Sequence, residues 1–88
     1  MRNLSAKQTE ILTVIVRMNP DGTFVDLDQL IERLSYKPSK EAIQFSLRHL
    51  IGRELIEKKP VELRRGAQRR VFSPTIHGYA EYRDVLRS

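Results

Sequence analysis

The chain has 88 residues and no cysteine, and 40% of its residues are hydrophobic. This length suits one small domain, residues 1–88, and the lack of cysteine excludes disulfide frameworks and thiolate zinc sites and fits a reducing compartment. The net charge is +5, and no apolar run approaches the roughly 20 residues needed to span a bilayer. We therefore expect a single folded domain in the cytoplasm.

The first predicted helix covers residues 6–18. Ser5 and Gln8 have the spacing of a capping box, in which each side chain satisfies a backbone N–H group at the helix start. The apolar side chains point in two directions, with Ile11, Ile15 and Met18 in one and Leu12 and Val16 in the other. Such a helix needs cover on two sides, from the C-terminal helix of the same chain or from a second subunit.

A turn and a second helix follow. Residues 19–22, Asn-Pro-Asp-Gly, predict the turn, because proline fixes one dihedral angle and glycine accepts a positive φ. Residues 23–25 are interpreted as a short strand. Asp26 then caps the second helix with Gln29 as its capping-box partner, and this helix ends before Pro38, since the residue preceding a proline is pushed out of the α region.

The third helix is predicted to begin at Pro38 or Ser39 and to continue to about residue 53. Its inward residues are Ile43, Leu47, Leu50 and Ile51, and its outward residues are Glu41, Gln44, Phe45, Arg48 and His49. Phe45 is a large apolar side chain on a face expected to meet water. Our first interpretation is that it packs beside Tyr36 under the preceding turn, and contact with a binding partner is the alternative.

Two strands and a basic loop come next. Residues 55–59 and 61–63 predict one strand, with Pro60 kinking it or placing it at an edge, and residues 71–73 predict the returning strand. Between them lies the sequence Arg-Arg-Gly-Ala-Gln-Arg-Arg, residues 64–70, which contains four arginines and no acid. A final helix, capped by Thr75, is predicted over residues 76–86, and its inner face is Ile76, Tyr79, Ala80 and Leu86.

The positive charge is concentrated around this loop. Residues 53–70 hold seven basic and three acidic side chains, a net charge of +4, whereas residues 1–52 hold seven and six and residues 71–88 hold two of each. Such a local excess of one sign is the expected footprint of phosphate binding. We therefore predict that the loop lies along a polyanion, with Gly66 providing the sharp turn at its tip.

The order of these elements resembles the winged helix-turn-helix family. Residues 28–36 resemble its second helix and turn, residues 39–50 its recognition helix, and residues 55–58 the strand that follows. Residues 4–12 and 72–79 resemble the first helix and the wing-to-last-helix passage of MarR-like and PadR-like transcriptional regulators. The resemblance implies an α+β winged helix-turn-helix with a three-helix core, a small antiparallel sheet with a basic wing, and a C-terminal helix.

One position departs from the family pattern. Members usually carry glycine immediately before the Leu-Ile pair, where the third helix ends in a left-handed residue. This chain has Glu54 there, and its glycine, Gly52, comes two residues earlier. Either Glu54 adopts the left-handed conformation at a cost of roughly 1 kcal/mol, or the helix ends differently.

The resemblance implies a transcriptional regulator that binds double-stranded DNA, with residues 39–53 in the major groove and residues 64–70 on the backbone and in the minor groove. The implied DNA contacts are Ser39, Lys40, Glu41, Gln44, Phe45, Arg48, Arg64, Arg65, Arg69 and Arg70. In the major groove, Gln44 suits adenine and Arg48 suits guanine or a phosphate. A protein of this kind would associate with the nucleoid.

Alternatives to this function stay open. A homodimer on a palindromic site is one expectation, because Leu12, Val16, Tyr82 and Val85 leave apolar surface on the first and last helices. A winged helix that docks an acidic protein partner through the same wing, or that binds structured RNA, would have similar charges. No residue spacing indicates a catalytic triad, a metal site or a glycine-rich phosphate loop, so we expect no enzyme and no cofactor.

Overall fold

The computed structural model describes residues 4–87, which form an α+β arrangement of four helices and a two-stranded antiparallel sheet. The elements are α1 (Ala6–Arg17), α2 (Leu27–Arg33), α3 (Lys40–Gly52), β1 (Ile56–Arg64), β2 (Ala67–Pro74) and α4 (Ile76–Arg87). This order is compatible with a winged-helix layout. Within residues 4–87, none of the helices has the length and apolar character needed to cross a membrane.

Side-chain caps determine where the first three helices begin. The Ser5 hydroxyl accepts the Gln8 N–H at 3.1 Å, and the Gln8 side chain accepts the Ser5 N–H at 3.1 Å. Asp26 and Gln29 form the same reciprocal pair at α2, so both predicted capping boxes are confirmed. Ser39 is the cap of α3 rather than its first residue, because its side chain accepts a backbone N–H from the first turn.

Both apolar directions of α1 are covered within the chain. Ile11 and Ile15 are fully buried, and Leu12 and Val16 are buried as well. A Cβ atom added at Gly78 of α4 would lie 3.6 Å from Leu12 Cδ1, which shows how closely α4 approaches this side of α1. Leu12 and Val16 therefore leave no apolar surface for a second subunit, so the part of the homodimer premise that concerned α1 is wrong, while Tyr82 and Val85 of α4 are partly exposed and the homodimer stays a prediction.

The face of α4 that packs inward is not the predicted one. Ile76 is 84% exposed, and Tyr79 and Leu86 are exposed too, whereas Gly78 is buried and Tyr82 packs against the core. A Cβ atom at Gly78 would lie 2.1 Å from the Leu55 carbonyl oxygen, so only glycine fits there. This close backbone approach, rather than the distribution of apolar side chains, sets the rotation of α4.

Helix α3 ends in a Schellman motif with glutamate at its left-handed position. The Leu55 N–H bonds to the Leu50 carbonyl at 3.0 Å, and the Glu54 N–H bonds to the Ile51 carbonyl at 2.9 Å. Glu54 has φ +63°, a conformation that usually favours glycine. The first of the two predicted alternatives, a left-handed Glu54, is thus confirmed.

The segment before α2 joins the sheet through isolated contacts only. Asp26 forms a single antiparallel bridge with Val71, and the Phe72 N–H bonds to the Val25 carbonyl at 3.0 Å. Residues 23–25 have no regular strand conformation, so the predicted short strand there is wrong. The bridge nevertheless fixes the start of α2 beside β2.

The two strands form a hairpin that is longer than predicted. The register pairs Ile56 with Pro74 at one end and Arg64 with Ala67 at the other, with an irregularity between residues 59 and 62 where Pro60 lies. Arg65 and Gly66 form the turn, and their φ angles of +52° and +78° are those of a type I′ turn. Most of the predicted basic loop, residues 64–70, therefore belongs to the strands.

Candidate nucleic-acid interface

The hairpin has two faces of different character. Side chains alternate between the faces of a strand, and residues paired across an antiparallel ladder share a face. From the register, the face that we call the α2 face carries Glu62, Arg64 and Arg69, and the face that we call the α3 face carries Lys58, Leu63, Gln68 and Arg70. The contacts agree with the assignment, because Arg64 and Arg69 of the first set reach the start of α2 and Lys58 and Arg70 of the second set line a cleft with α3.

On the α2 face, Arg64 is held against the segment that leads into α2. Its Nη1 atom donates to the Phe24 carbonyl at 2.8 Å and lies 3.5 Å from Asp26 Oδ2, and its Nε atom donates to Glu62 at 2.9 Å. The Arg64 side chain is only 17% exposed. Its hydrogen-bonding groups are thus satisfied largely within the chain.

Asp26 connects the hairpin turn to the start of α2. Arg65 Nη2 donates to both carboxylate oxygens of Asp26, at 3.2 and 3.1 Å, while one of these oxygens also accepts the Gln29 N–H. Burial raises the pKa of Asp26, but the hydrogen bond from Gln29 and the charges of Arg65 and Arg64 lower it by more, so this pKa lies below its usual value. The fully buried carboxylate is therefore ionised at neutral pH and compensated by two arginines.

Arg69 completes this set of contacts. Its Nη1 atom forms an ion pair with the Asp28 carboxylate, and its Nε atom donates to the Arg64 carbonyl at 3.2 Å. Three of the four arginines proposed from the sequence as DNA contacts, Arg64, Arg65 and Arg69, therefore face carboxylates of their own chain. We refer to these three arginines with Asp26 and Asp28 as the arginine latch, since they join the hairpin to α2.

Arg70 lies apart from the arginine latch. Together with Lys58, Gln44 and Arg48 it lines a cleft between α3 and the α3 face of the hairpin. The floor of the cleft is apolar and consists of Leu27, Leu47, Ile51 and Phe72. No carboxylate lines this cleft, and within residues 4–87 no ion pair involves its three basic side chains. The cleft therefore presents uncompensated positive charge beside two polar side chains of α3.

The remaining candidates lie near the start and on the outer face of α3. Ser39 uses its hydroxyl as a cap, while Lys40 and Glu41 are exposed in the first turn. Phe45 is 62% exposed, so the interpretation that it packs beside Tyr36 is wrong. Lys58 was not among the candidates from sequence. The signal for it was the pair Lys58 and Lys59 on one strand, because adjacent side chains of a strand point to opposite faces and one of the two therefore shares a face with Arg70.

Among the described residues, no group of three or more histidine, aspartate or glutamate side chains is placed to hold a metal ion. Neither family models, nor curated proteins, nor solved structures show a match to this chain. Any functional interpretation therefore depends on the chain's own geometry, and chiefly on the basic cleft.

Proposed function

We propose that this protein is a winged-helix transcriptional regulator that binds double-stranded DNA, with α3 in the major groove. The observation that carries the proposal is the convergence of Gln44, Arg48, Lys58 and Arg70 on one cleft without an acid. Uncompensated arginine and lysine side chains bind the phosphate backbone through charge and counterion release. Duplex DNA is a polyanion whose grooves lie between its phosphate backbones. It therefore matches a polar helix face with positive charge beside it.

Gln44 and Arg48 supply the base-reading part of the proposal. They are four residues apart on α3 and both exposed, so they lie on the same side of the helix one turn apart. A glutamine amide pairs with adenine N6 and N7, and an arginine guanidinium pairs with guanine N7 and O6, in each case through two hydrogen bonds. Exposed Lys40, in the first turn of α3, is then available for a phosphate.

The hairpin supplies the phosphate contacts that flank α3. Arg70 and Lys58 border the cleft directly and have no carboxylate partner among residues 4–87. The arginine latch has a different role in the proposal, because its side chains hold the hairpin in the orientation that presents Arg70. Arg65 is the most exposed of the three latch arginines, so it is the one best placed to exchange Asp26 for a phosphate.

A second candidate function is docking of a protein partner. Phe45, next to Gln44 on α3, and Leu63, on the α3 face of the hairpin, are both exposed, and large exposed apolar side chains near arginine are typical of protein interfaces. An acidic partner with an apolar segment would match this surface. Duplex DNA remains our first proposal because Gln44 and Arg48 present, one helical turn apart, the hydrogen-bonding groups that pair with base edges.

Selection from a pool of random duplexes tests the proposal and yields a binding site. On the selected duplex, Arg48→Ala should lower affinity by about tenfold or more and relax preference at one base pair, since a two-hydrogen-bond contact discriminates by roughly 1–3 kcal/mol. Arg17→Ala, at an exposed arginine of α1 outside the cleft, is the charge-matched control. Absence of measurable affinity for any duplex at low salt, or stronger binding of structured RNA, would contradict the proposal.

A further inference from the structure

The α3 face of the hairpin continues beyond the cleft toward the turn. Its outermost residues, Leu63 and Gln68, are paired across the strands and carry no charge. Leu63 is 70% exposed and Gln68 is exposed. The tip of this face is thus an apolar side chain beside an amide, although the surrounding sequence is rich in arginine.

The distance along β2 from the cleft to Gln68 covers about three quarters of the spacing between adjacent grooves of a DNA duplex. Phe72 packs in the floor of the cleft beside α3, and Arg70 and Gln68 follow on the same face toward the turn. At about 3.3 Å per residue, Arg70 lies roughly 7 Å and Gln68 roughly 13 Å beyond Phe72. One helical turn of DNA is about 34 Å, so the nearest minor groove lies about half of that from the major-groove centre, with a phosphate backbone between them.

We infer that Leu63 and Gln68, and not the hairpin arginines, form the hairpin's contact with the minor groove. This inference rests on the proposed function, with α3 in the major groove and Arg70 at the intervening backbone. A glutamine amide can donate to adenine N3 or thymine O2, the acceptors of the minor-groove floor, and a leucine is one of the apolar side chains that contact or wedge base steps there. The arginine latch points away from this surface, toward Asp26 and Asp28.

The first test compares two exposed leucines on the selected duplex. Leu63→Ala should lower affinity by about tenfold, the equivalent of exposing a buried leucine, and should leave the slope of log affinity against log salt unchanged because no phosphate contact is lost. Leu86→Ala on α4, where the leucine is 65% exposed, is the matched control and should bind like the unaltered protein. Thermal unfolding of each variant, followed by circular dichroism, should match that of the unaltered protein.

The second test changes the minor groove alone. Diaminopurine in place of adenine adds an amino group to the minor-groove floor and leaves the major-groove edge intact. At the A·T pairs under the hairpin, this replacement should weaken binding of the unaltered protein by about fivefold, and Gln68→Ala should remove that sensitivity. Gln44→Ala, which acts in the major groove, should retain it.

The outcomes separate this inference from the proposed function. If the unaltered protein binds a duplex but Leu63→Ala binds equally well, or diaminopurine has no effect at any flanking pair, the minor-groove inference is wrong and the proposed function stands. If the unaltered protein binds no duplex at all, both are wrong. A loss of salt slope in Leu63→Ala would also contradict the inference, since it would assign a phosphate contact to this end of the hairpin.

Discussion

Arg69 and Arg70 are neighbours in the chain, and we expect their replacement by alanine to affect different properties of the protein. Arg69 belongs to the arginine latch, with an ion pair to Asp28 and a hydrogen bond to the Arg64 carbonyl. Arg70 is exposed in the basic cleft and has no carboxylate partner among residues 4–87. Arg69→Ala should therefore lower stability, and Arg70→Ala should lower DNA affinity.

The magnitudes follow from these contacts. The Arg69–Asp28 pair is partly exposed, so its contribution is about 0.5 kcal/mol, and the hydrogen bond to Arg64 adds about 1 kcal/mol. Arg69→Ala should thus lower the free energy of unfolding by about 1.5 kcal/mol, which is a fall in Tm of roughly 6–12 °C for a domain of this size. Arg70→Ala should stay within about 0.5 kcal/mol of the unaltered protein.

Urea unfolding measures the first effect, and anisotropy of a labelled duplex over a range of salt concentrations measures the second. Arg70→Ala should reduce the slope of log affinity against log salt by about 1, the value expected for one lost phosphate contact, while Arg69→Ala leaves it unchanged. Arg69→Lys keeps the charge without the guanidinium fork and should still lose stability. The assignment of the two faces would be refuted if Arg69→Ala lowered the salt slope without a loss of stability.

Three further predictions concern the fold. Glu54→Gly should raise the free energy of unfolding by about 0.5–1 kcal/mol in urea titrations, because residue 54 has φ +63°, and a decrease would contradict the Schellman assignment. Gly78→Ala should cost at least about 2 kcal/mol, since its Cβ would lie 2.1 Å from the Leu55 carbonyl oxygen, whereas Gly52→Ala has open space and should be neutral or stabilising. Because the folded-state pKa of Asp26 is lowered, its stabilisation is full above about pH 4, the unfolded-state value, and is lost as the pH falls through the folded-state pKa. Asp26→Asn should therefore show a smaller loss of stability in this acid range than the unaltered protein, and equal losses would show that Asp26 is not the group responsible.

Features that depend on residues close in the chain were predictable from the sequence. The two capping boxes need only a residue and its neighbour three positions on, and both are present. The inward and outward faces of α3 follow from the helical period alone, and the irregularity at Pro60 follows from the missing N–H of proline. The left-handed Glu54 was one of two predicted alternatives. The local sequence indicates where α3 ends, but it does not decide whether the cost of a left-handed glutamate is accepted there.

Features that depend on a distant partner were not predictable in the same way. The inward face of α4 is set by Gly78, which lets the helix backbone approach the backbone of Leu55, a residue far away in the chain. A hydrophobic pattern favours the side of a helix with the most apolar side chains, and here that side includes Ile76 and Leu86, which are exposed. Close packing of the α4 backbone against Leu55 outweighs the burial of those side chains. A periodic pattern of apolar residues does not indicate such a backbone contact.

The basic hairpin shows that an excess of charge counted along the sequence need not be an excess in space. The excess counted over residues 53–70 omits Asp26 and Asp28, which are far away in the chain and compensate Arg65 and Arg69 in space. Residues 64–70 were also predicted as a loop, for which no alternation of side chains is expected. Because most of them belong to strands, their side chains point alternately to two opposite faces. What bears on an anionic partner is the charge left uncompensated on one face. By that criterion, binding should be sought at the cleft that Arg70 forms with Lys58 and Arg48, and not at the four arginines that are close together in sequence.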